Sequence, residues 1–168
     1  MERKILVVDD DLRLGHMTGK VLGRMFLGAN VFVSPSGPAG LEVVERHRPH
    51  VIVLDHVMPE MDGKEFLTAL RGNDWGRDVP VLVMSGYDLD YIYKGEANVV
   101  FLRKPPRRGA IEDALVKLLL KAMGQDQINE GCQEFADWRD RLGQALFSLS
   151  SKPAGKPLGR WSFHWRLF

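Results

Sequence analysis

Five short apolar runs are the feature that most restricts the folds open to this chain. The runs span residues 5–8, 31–33, 51–54, 79–84 and 99–102. They are rich in Val, Ile and Leu and lack strict alternation with polar residues, which is typical of parallel strands covered on both faces. The runs therefore predict five buried strands.

Segments with helical spacing separate these runs. Helices are predicted over residues 12–27, 39–46, 63–70 and 107–123. The last helix places its apolar side chains on one face, at Ile111, Leu115, Leu118 and Leu119. The segment 88–96 is the weakest helix because it is short and contains Gly95. The alternation predicts an α/β fold in which a doubly wound, five-stranded parallel sheet carries helices on both faces.

Composition excludes several classes of protein. The 168 residues are 45% hydrophobic and 27% charged, which supplies a core and excludes a wholly disordered chain. The net charge of +1 gives no overall basic field for nucleic acid. The single Cys132 excludes an internal disulfide framework and a multi-cysteine zinc site. No apolar run reaches the roughly 18 residues of a membrane span, so we expect a cytoplasmic protein without a membrane partner.

Polar side chains follow four of the predicted strands. Asp9 and Asp10 follow the first strand, Asp55 ends the third, Ser85 follows the fourth and Lys104 follows the fifth. In open parallel sheets, ligands bind outside the carboxyl ends of the strands. We therefore expect these five side chains to converge at one edge of the sheet.

The three carboxylates constrain the chemistry of this edge. Crowded carboxylates repel each other and raise each other's pKa unless a cation intervenes. Oxygen ligands of this kind favour Mg²⁺, and a carboxylate beside Mg²⁺ can act as a nucleophile towards phosphorus. A single aspartate after a strand can instead be a helix cap, which is the role we predict for Asp11 at the start of the helix at Leu12.

Four motifs appear in order at the strand ends. They are VVDD at 7–10, LDHVMPEMDG at 54–63, MSG at 84–86 and FLRKP at 101–105. With this set the chain resembles the receiver domain of two-component response regulators, similar to the chemotaxis regulators, over about residues 3–123. The resemblance implies the flavodoxin-like receiver fold.

The resemblance also implies roles for individual residues. Asp55 would be the phospho-acceptor. Asp9 and Asp10, together with Asp55 and the backbone carbonyl of Val57, would bind Mg²⁺. The phosphoryl group would come from the phosphohistidine of a histidine kinase or a phosphotransfer protein. The chain would then be a signalling protein that catalyses only its own phosphorylation and dephosphorylation.

The remaining motif residues would form the switch. By resemblance, Ser85 hydrogen-bonds the phosphoryl group and Lys104 pairs with it, with a cis bond from Lys104 to Pro105. Phe101 would be the aromatic side chain whose rotamer reports the switch of a partner-binding face. His56 lies next to Asp55, where it either tunes access to the phosphoryl group or is an ordinary exposed side chain.

A phosphatase is the alternative. An Asp-x-Asp pair after a first strand also occurs in haloacid-dehalogenase-type phosphatases, which would use Asp9 as the nucleophile and Asp11 as the acid/base. That alternative leaves the motif around Asp55 unexplained.

The pattern changes after residue 123. Residues 124–149 predict an amphipathic helical extension, and residues 150–168 predict a flexible tail with basic and aromatic residues. No DNA-binding domain is evident. The extension could pack on the receiver, form the seam of a homodimer or bind a kinase, and the tail could contact nucleic acid or a membrane surface. The chain is therefore either a single-domain response regulator with an unknown output protein or a receiver from a longer hybrid kinase.

Overall fold

A computed structural model of the chain describes residues 3–26, 28–107 and 109–122. Its strands are β1 (Lys4–Val8), β2 (Asn30–Ser34), β3 (Val51–Asp55), β4 (Val81–Ser85) and β5 (Val99–Arg103). Its helices are α1 (Leu12–Met25), α2 (Gly37–His47), α3 (Gly63–Arg71), α4 (Asp90–Tyr93) and α5 (Ala110–Ala122), with a 3₁₀ turn at Asp74–Gly76. The predicted helix and tail beyond residue 123 lie outside the described residues, and the boundaries proposed there stay predictions.

The strands form one parallel sheet in the order β2-β1-β3-β4-β5. The chain passes from β1 outward to β2 and then back across β1 to β3, so the direction of winding reverses between β1 and β3. This reversal opens a crevice at the carboxyl ends of those two strands, as expected for doubly wound sheets. The predicted doubly wound five-stranded sheet is confirmed.

Helices cover both faces of the sheet. A Cβ atom added to Gly19 of α1 would lie 3.3 Å from Val33 of β2, and one added to Gly40 of α2 would lie 2.9 Å from Val8 of β1. Val33 is level with Val7 in the sheet, and successive strand residues point to opposite faces. α1 and α2 therefore pack on opposite sides.

The core beneath α2, α3 and α4 is fully apolar at its centre. Its largest fully buried side chain is Phe66 of α3, which is 0% exposed and packs with Leu6, Val8 and Leu54. Every residue of β3 and β4 is buried. The ends of β3 and β4 are therefore packed within the fold, which supports a site placed on them.

Several element boundaries differ from the sequence-based prediction for local reasons. β4 begins at Val81 rather than 79, because Pro80 has no N–H to donate to the sheet. α2 begins at Gly37 rather than 39, because Ser36 caps it by accepting from the N–H of Ala39 at 3.4 Å. α5 begins only at Ala110, after Gly109 at a φ of 80°, which is outside helical geometry.

Substituting Phe66 with alanine tests the core. We expect the free energy of unfolding to fall by about 3–5 kcal/mol, because the side chain is fully buried and would leave a cavity. Met17→Ala is the control, since Met17 is 59% exposed and its change should stay within about 0.5 kcal/mol. Urea unfolding followed by circular dichroism measures both. Equal losses in the two variants would contradict this core assignment.

Candidate functional site

The predicted acidic residues meet at the crevice between β1 and β3. Asp9 directly follows β1 and Asp55 ends β3, and these strands are neighbours in register, with Val8 beside Leu54. One carboxylate oxygen each from Asp9, Asp10 and Asp55 lies within 4.8 Å of the others. Asp9 is 2% exposed and Asp55 is 9% exposed, whereas Asp10 is open to solvent. The predicted convergence of the three acids is confirmed.

The amine of Lys104 bridges two of these carboxylates. Its Nζ lies 2.8 Å from Oδ2 of Asp55 and 3.1 Å from Oδ2 of Asp9. The Lys104 backbone is fixed by its N–H, which donates to the carbonyl of Ser85 at 2.6 Å. The peptide bond from Lys104 to Pro105 is cis, as the resemblance implied. The end of β5 thus delivers a cation to the ends of β1 and β3.

Burial and neighbouring charges have opposite effects on the pKa values of Asp9 and Lys104. Burial raises the pKa of Asp9, and the hydrogen bond and charge of Lys104 offset that effect only in part. Burial alone would lower the pKa of Lys104, but the hydrogen bonds and charges of Asp55 and Asp9 raise it overall. Lys104 therefore stays charged, and the cluster holds a fixed positive group between two buried acids.

The donor set fits a hard divalent cation. It consists of carboxylate oxygens, which are the ligands of Mg²⁺ and Ca²⁺ rather than of soft metals. The cluster sets three carboxyl groups against one ammonium, so acidic groups outnumber the cation. The exposed position of Asp10 leaves one side of the cluster open, as Mg²⁺ requires because it retains several waters.

The other predicted site residues differ in position: Ser85 ends β4, Val57 lies two residues past Asp55, and Phe101 lies in the middle of β5. Ser85 is 0% exposed, and its Oγ accepts from the N–H of Tyr87 at 3.2 Å. Val57 is 51% exposed and its N–H is 3.4 Å from Oδ1 of Asp55. Phe101, on β5, packs partly buried against the core. Their roles towards metal and phosphoryl group stay predictions.

Asp11 serves as a helix cap. Its Oδ1 accepts from the backbone N–H groups of Arg13 at 2.9 Å and Leu14 at 3.2 Å. This arrangement satisfies two unpaired donors of the first turn of α1. The predicted capping role is confirmed.

The loop after Asp55 ends at a second helix cap, Asp62, at the start of α3. Asp62 accepts from the N–H groups of Lys64 and Glu65, and Glu65 accepts in return from the N–H of Asp62, which completes a capping box. A Cβ atom added to Gly63 would lie 2.8 Å from Cα of His56. Only glycine therefore lets α3 start this close to the end of β3, which explains the spacing of the Asp-Gly pair after Asp55.

One contact at this edge was not predicted. Nδ1 of His56 and the hydroxyl of Tyr93 share a hydrogen bond of 2.6 Å. His56 is therefore partly buried and paired, and the ordinary exposed side chain considered for it is wrong. The sequence gives no signal for this contact, because the two residues are 37 positions apart and α4 has only four residues.

Comparison with known proteins decides the family. A family model described as the response regulator receiver domain matches residues 5–116. The chain belongs to this family. Sporulation initiation phosphotransferase F of Bacillus subtilis is 30% identical over 122 residues, which are 71% of this chain and 95% of that protein. The predicted resemblance is thereby confirmed.

Other relatives agree with this assignment. Response regulator MprA of Mycobacterium tuberculosis is 38% identical over 88 residues, which cover 52% of this chain but only 36% of MprA. The chemotaxis response regulator CheY4 of Vibrio cholerae superposes with a TM-score of 0.62 at 25% identity, over 70% of this chain and 99% of CheY4. These matches give no support to the phosphatase alternative. Within the described residues, no helix is both long and apolar enough to cross a bilayer.

Replacing Lys104 with methionine tests the balance of charge. We expect the free energy of unfolding to fall by about 2 kcal/mol at neutral pH, because two buried carboxylates lose their shared cation. A carboxyl whose folded pKa is raised, as that of Asp9 is, stabilises the fold below its unfolded pKa and loses that contribution as the pH rises. The loss should therefore shrink towards acid pH. Urea unfolding with a chelator present measures it, and a loss independent of pH would contradict this account.

Proposed function

We propose that this receiver domain accepts a phosphoryl group on Asp55, from the phosphohistidine of a histidine kinase or phosphotransfer protein. The observation that supports the proposal most strongly is the position of Lys104, whose amine contacts both Asp55 and Asp9 at the mouth of the crevice. A fixed cation beside a buried carboxylate can compensate negative charge that is added at that carboxylate.

On the receiver, the transfer uses the groups at this edge. An Asp55 oxygen forms the bond to phosphorus as the bond from phosphorus to the donor imidazole breaks, and that imidazole departs with the electron pair and takes up a proton. Asp9, Asp10, Asp55 and the backbone carbonyl of Val57 would hold Mg²⁺, which would neutralise negative charge on the phosphoryl oxygens. The amine of Lys104 adds a second positive group. The Ser85 hydroxyl donates a hydrogen bond to a phosphoryl oxygen.

Phosphorylation changes the charge at Asp55. Aspartyl phosphate adds about two negative charges and three acceptor oxygens. Ser85 and Lys104 move towards these oxygens, and Phe101 turns inward as the surface of β4, β5 and their helices repacks. The chain is thus a signalling phosphoprotein and not a metabolic enzyme. Its partners are the phosphoryl donor and an output protein that reads this surface.

We also propose a cellular compartment for this chain. We place it in the cytoplasm, where phosphoryl donors of this class act.

Asp55→Ala tests the acceptor. With acetyl phosphate and Mg²⁺, we expect the wild type to gain the mass of one phosphoryl group and the variant to gain none, because Asp55 ends β3 with its Oδ2 2.8 Å from the Lys104 amine. Intact-protein mass spectrometry measures the label. Asp11→Asn is the matched control: asparagine caps a helix equally well, so labelling should persist. Its loss on Asp11→Asn would favour the phosphatase alternative.

Asp10→Ala tests the metal. The Mg²⁺ concentration for half-maximal labelling should rise by about tenfold or more, since charge and ligand count set the affinity of such sites. Asp10 is exposed, so the fold should be unaffected. Asp74→Ala serves for comparison, because Asp74 is exposed and lies before β4, at the opposite edge of the sheet. An unchanged Mg²⁺ requirement in the Asp10 variant would remove Asp10 from the metal site.

A further inference from the structure

The His56–Tyr93 hydrogen bond joins α4 to the residue that follows the acceptor. Tyr93 is 4% exposed, and its ring meets the His56 ring edge-on at 5.7 Å between centroids and 89° between planes. Burial, with the charges of Asp62, Asp55 and Glu96, raises the pKa of Tyr93. The hydroxyl is therefore protonated and remains available for this bond.

Tyr93 also contacts the predicted switch residue. Its ring stacks on Phe101 at 6.3 Å between centroids and 12° between planes. The ammonium of Lys64 lies 5.9 Å from the centre of the Tyr93 ring, and Lys64 forms an ion pair with Glu96, just beyond α4. One side chain thus connects the end of β3 with β5.

α4 depends on these tertiary contacts for its position. It has four residues, and its N-cap, Leu89, makes no side-chain capping bond. An isolated helix of this length is not stable in water. The buried ring and the hydroxyl of Tyr93 therefore both contribute to where α4 lies.

His56, in contrast, is fixed by its backbone. Its N–H donates to the carbonyl of Met84 at 2.9 Å, and its carbonyl accepts from the N–H of Gly63 at 2.8 Å. A Cβ atom on Gly63 would lie 3.0 Å from the Tyr93 hydroxyl, so glycine leaves the room that the hydroxyl occupies. When α4 moves, His56 does not follow, and the hydrogen bond stretches.

We propose that the His56–Tyr93 hydrogen bond is a latch that holds α4 in the unphosphorylated position and thereby slows phosphorylation of Asp55. The proposal rests on the phospho-acceptor function proposed above. Residues 86–89 join Ser85 to α4, so a shift of Ser85 towards a phosphoryl group pulls on α4. The latch opposes that shift, and its loss raises the population of the conformation that reacts. Tyr93 and His56 are positioning residues in this scheme.

Tyr93→Phe is the direct test, because it removes the hydroxyl and keeps the ring that stacks on Phe101. The second-order rate constant for labelling of the full chain by acetyl phosphate with Mg²⁺ should rise about fivefold, the effect of losing one hydrogen bond. Tyr91→Phe is the matched control, two residues earlier in the same helix and 73% exposed, and its rate should equal that of the wild type. An unchanged or slower rate for Tyr93→Phe would overturn the latch.

A double-mutant cycle separates the latch from a direct effect of His56 on the acceptor. His56→Phe removes the nitrogen that shares the hydrogen bond. If the bond is the cause, adding Tyr93→Phe to this variant produces no further increase in rate. Fully additive effects would mean that the two side chains act independently, and would reject the proposal.

Hydrogen exchange supplies a measurement on the wild type that does not depend on any variant. The amides of Ile92 and Glu96, which donate to Leu89 and Tyr93, should exchange about fivefold faster after phosphorylation, because α4 is released. Equal exchange in the two states would refute the latch while leaving labelling intact. A wild type that takes no label at all would instead contradict the phospho-acceptor function itself.

Discussion

Three carboxylates and one ammonium at the carboxyl edge of the sheet determine what the rest of this structure must do. Asp9 and Asp55 are nearly buried, and burial of two like charges is unfavourable unless a cation lies between them. Lys104, at the end of β5, provides that cation, although β5 is not a neighbour of β1 or β3 in the sheet. The arrangement therefore requires that the carboxyl ends of β1, β3 and β5 lie at the same edge of the sheet.

The sheet satisfies this requirement through its order and its packing. The reversal of winding between β1 and β3 opens the crevice in which the acids meet. Buried residues along the whole of β3 and β4 pack these two strands into the fold. Beside the acceptor strand lies the short α4, and the bond from Tyr93 to His56 is its most direct link to the acceptor. A hydrogen bond at this place would couple a change of charge at Asp55 to the position of α4.

The sequence predicted the elements with strong local signals and missed contacts that depend on distant residues. β3 and Asp55 were predictable because an uninterrupted apolar run ends in an acid followed by a capping motif. Asp11 was predictable because capping is a local interaction. The starts of α2 and β4 were misplaced by two residues, where Ser36 and Pro80 decide the boundary. The pairing of His56 with Tyr93 exists only once β3 and α4 are side by side, and no local pattern encodes it.

The identity of the labelled residue tests the central claim most directly. Borohydride reduces an aspartyl phosphate to homoserine, so the modified position survives digestion and can be read by peptide mass spectrometry. After phosphorylation of the full chain, this account predicts homoserine at position 55 and nowhere else. Homoserine at position 9 would mean that the acid after β1 is the nucleophile, and the role assigned to the Lys104–Asp55 pair would be wrong.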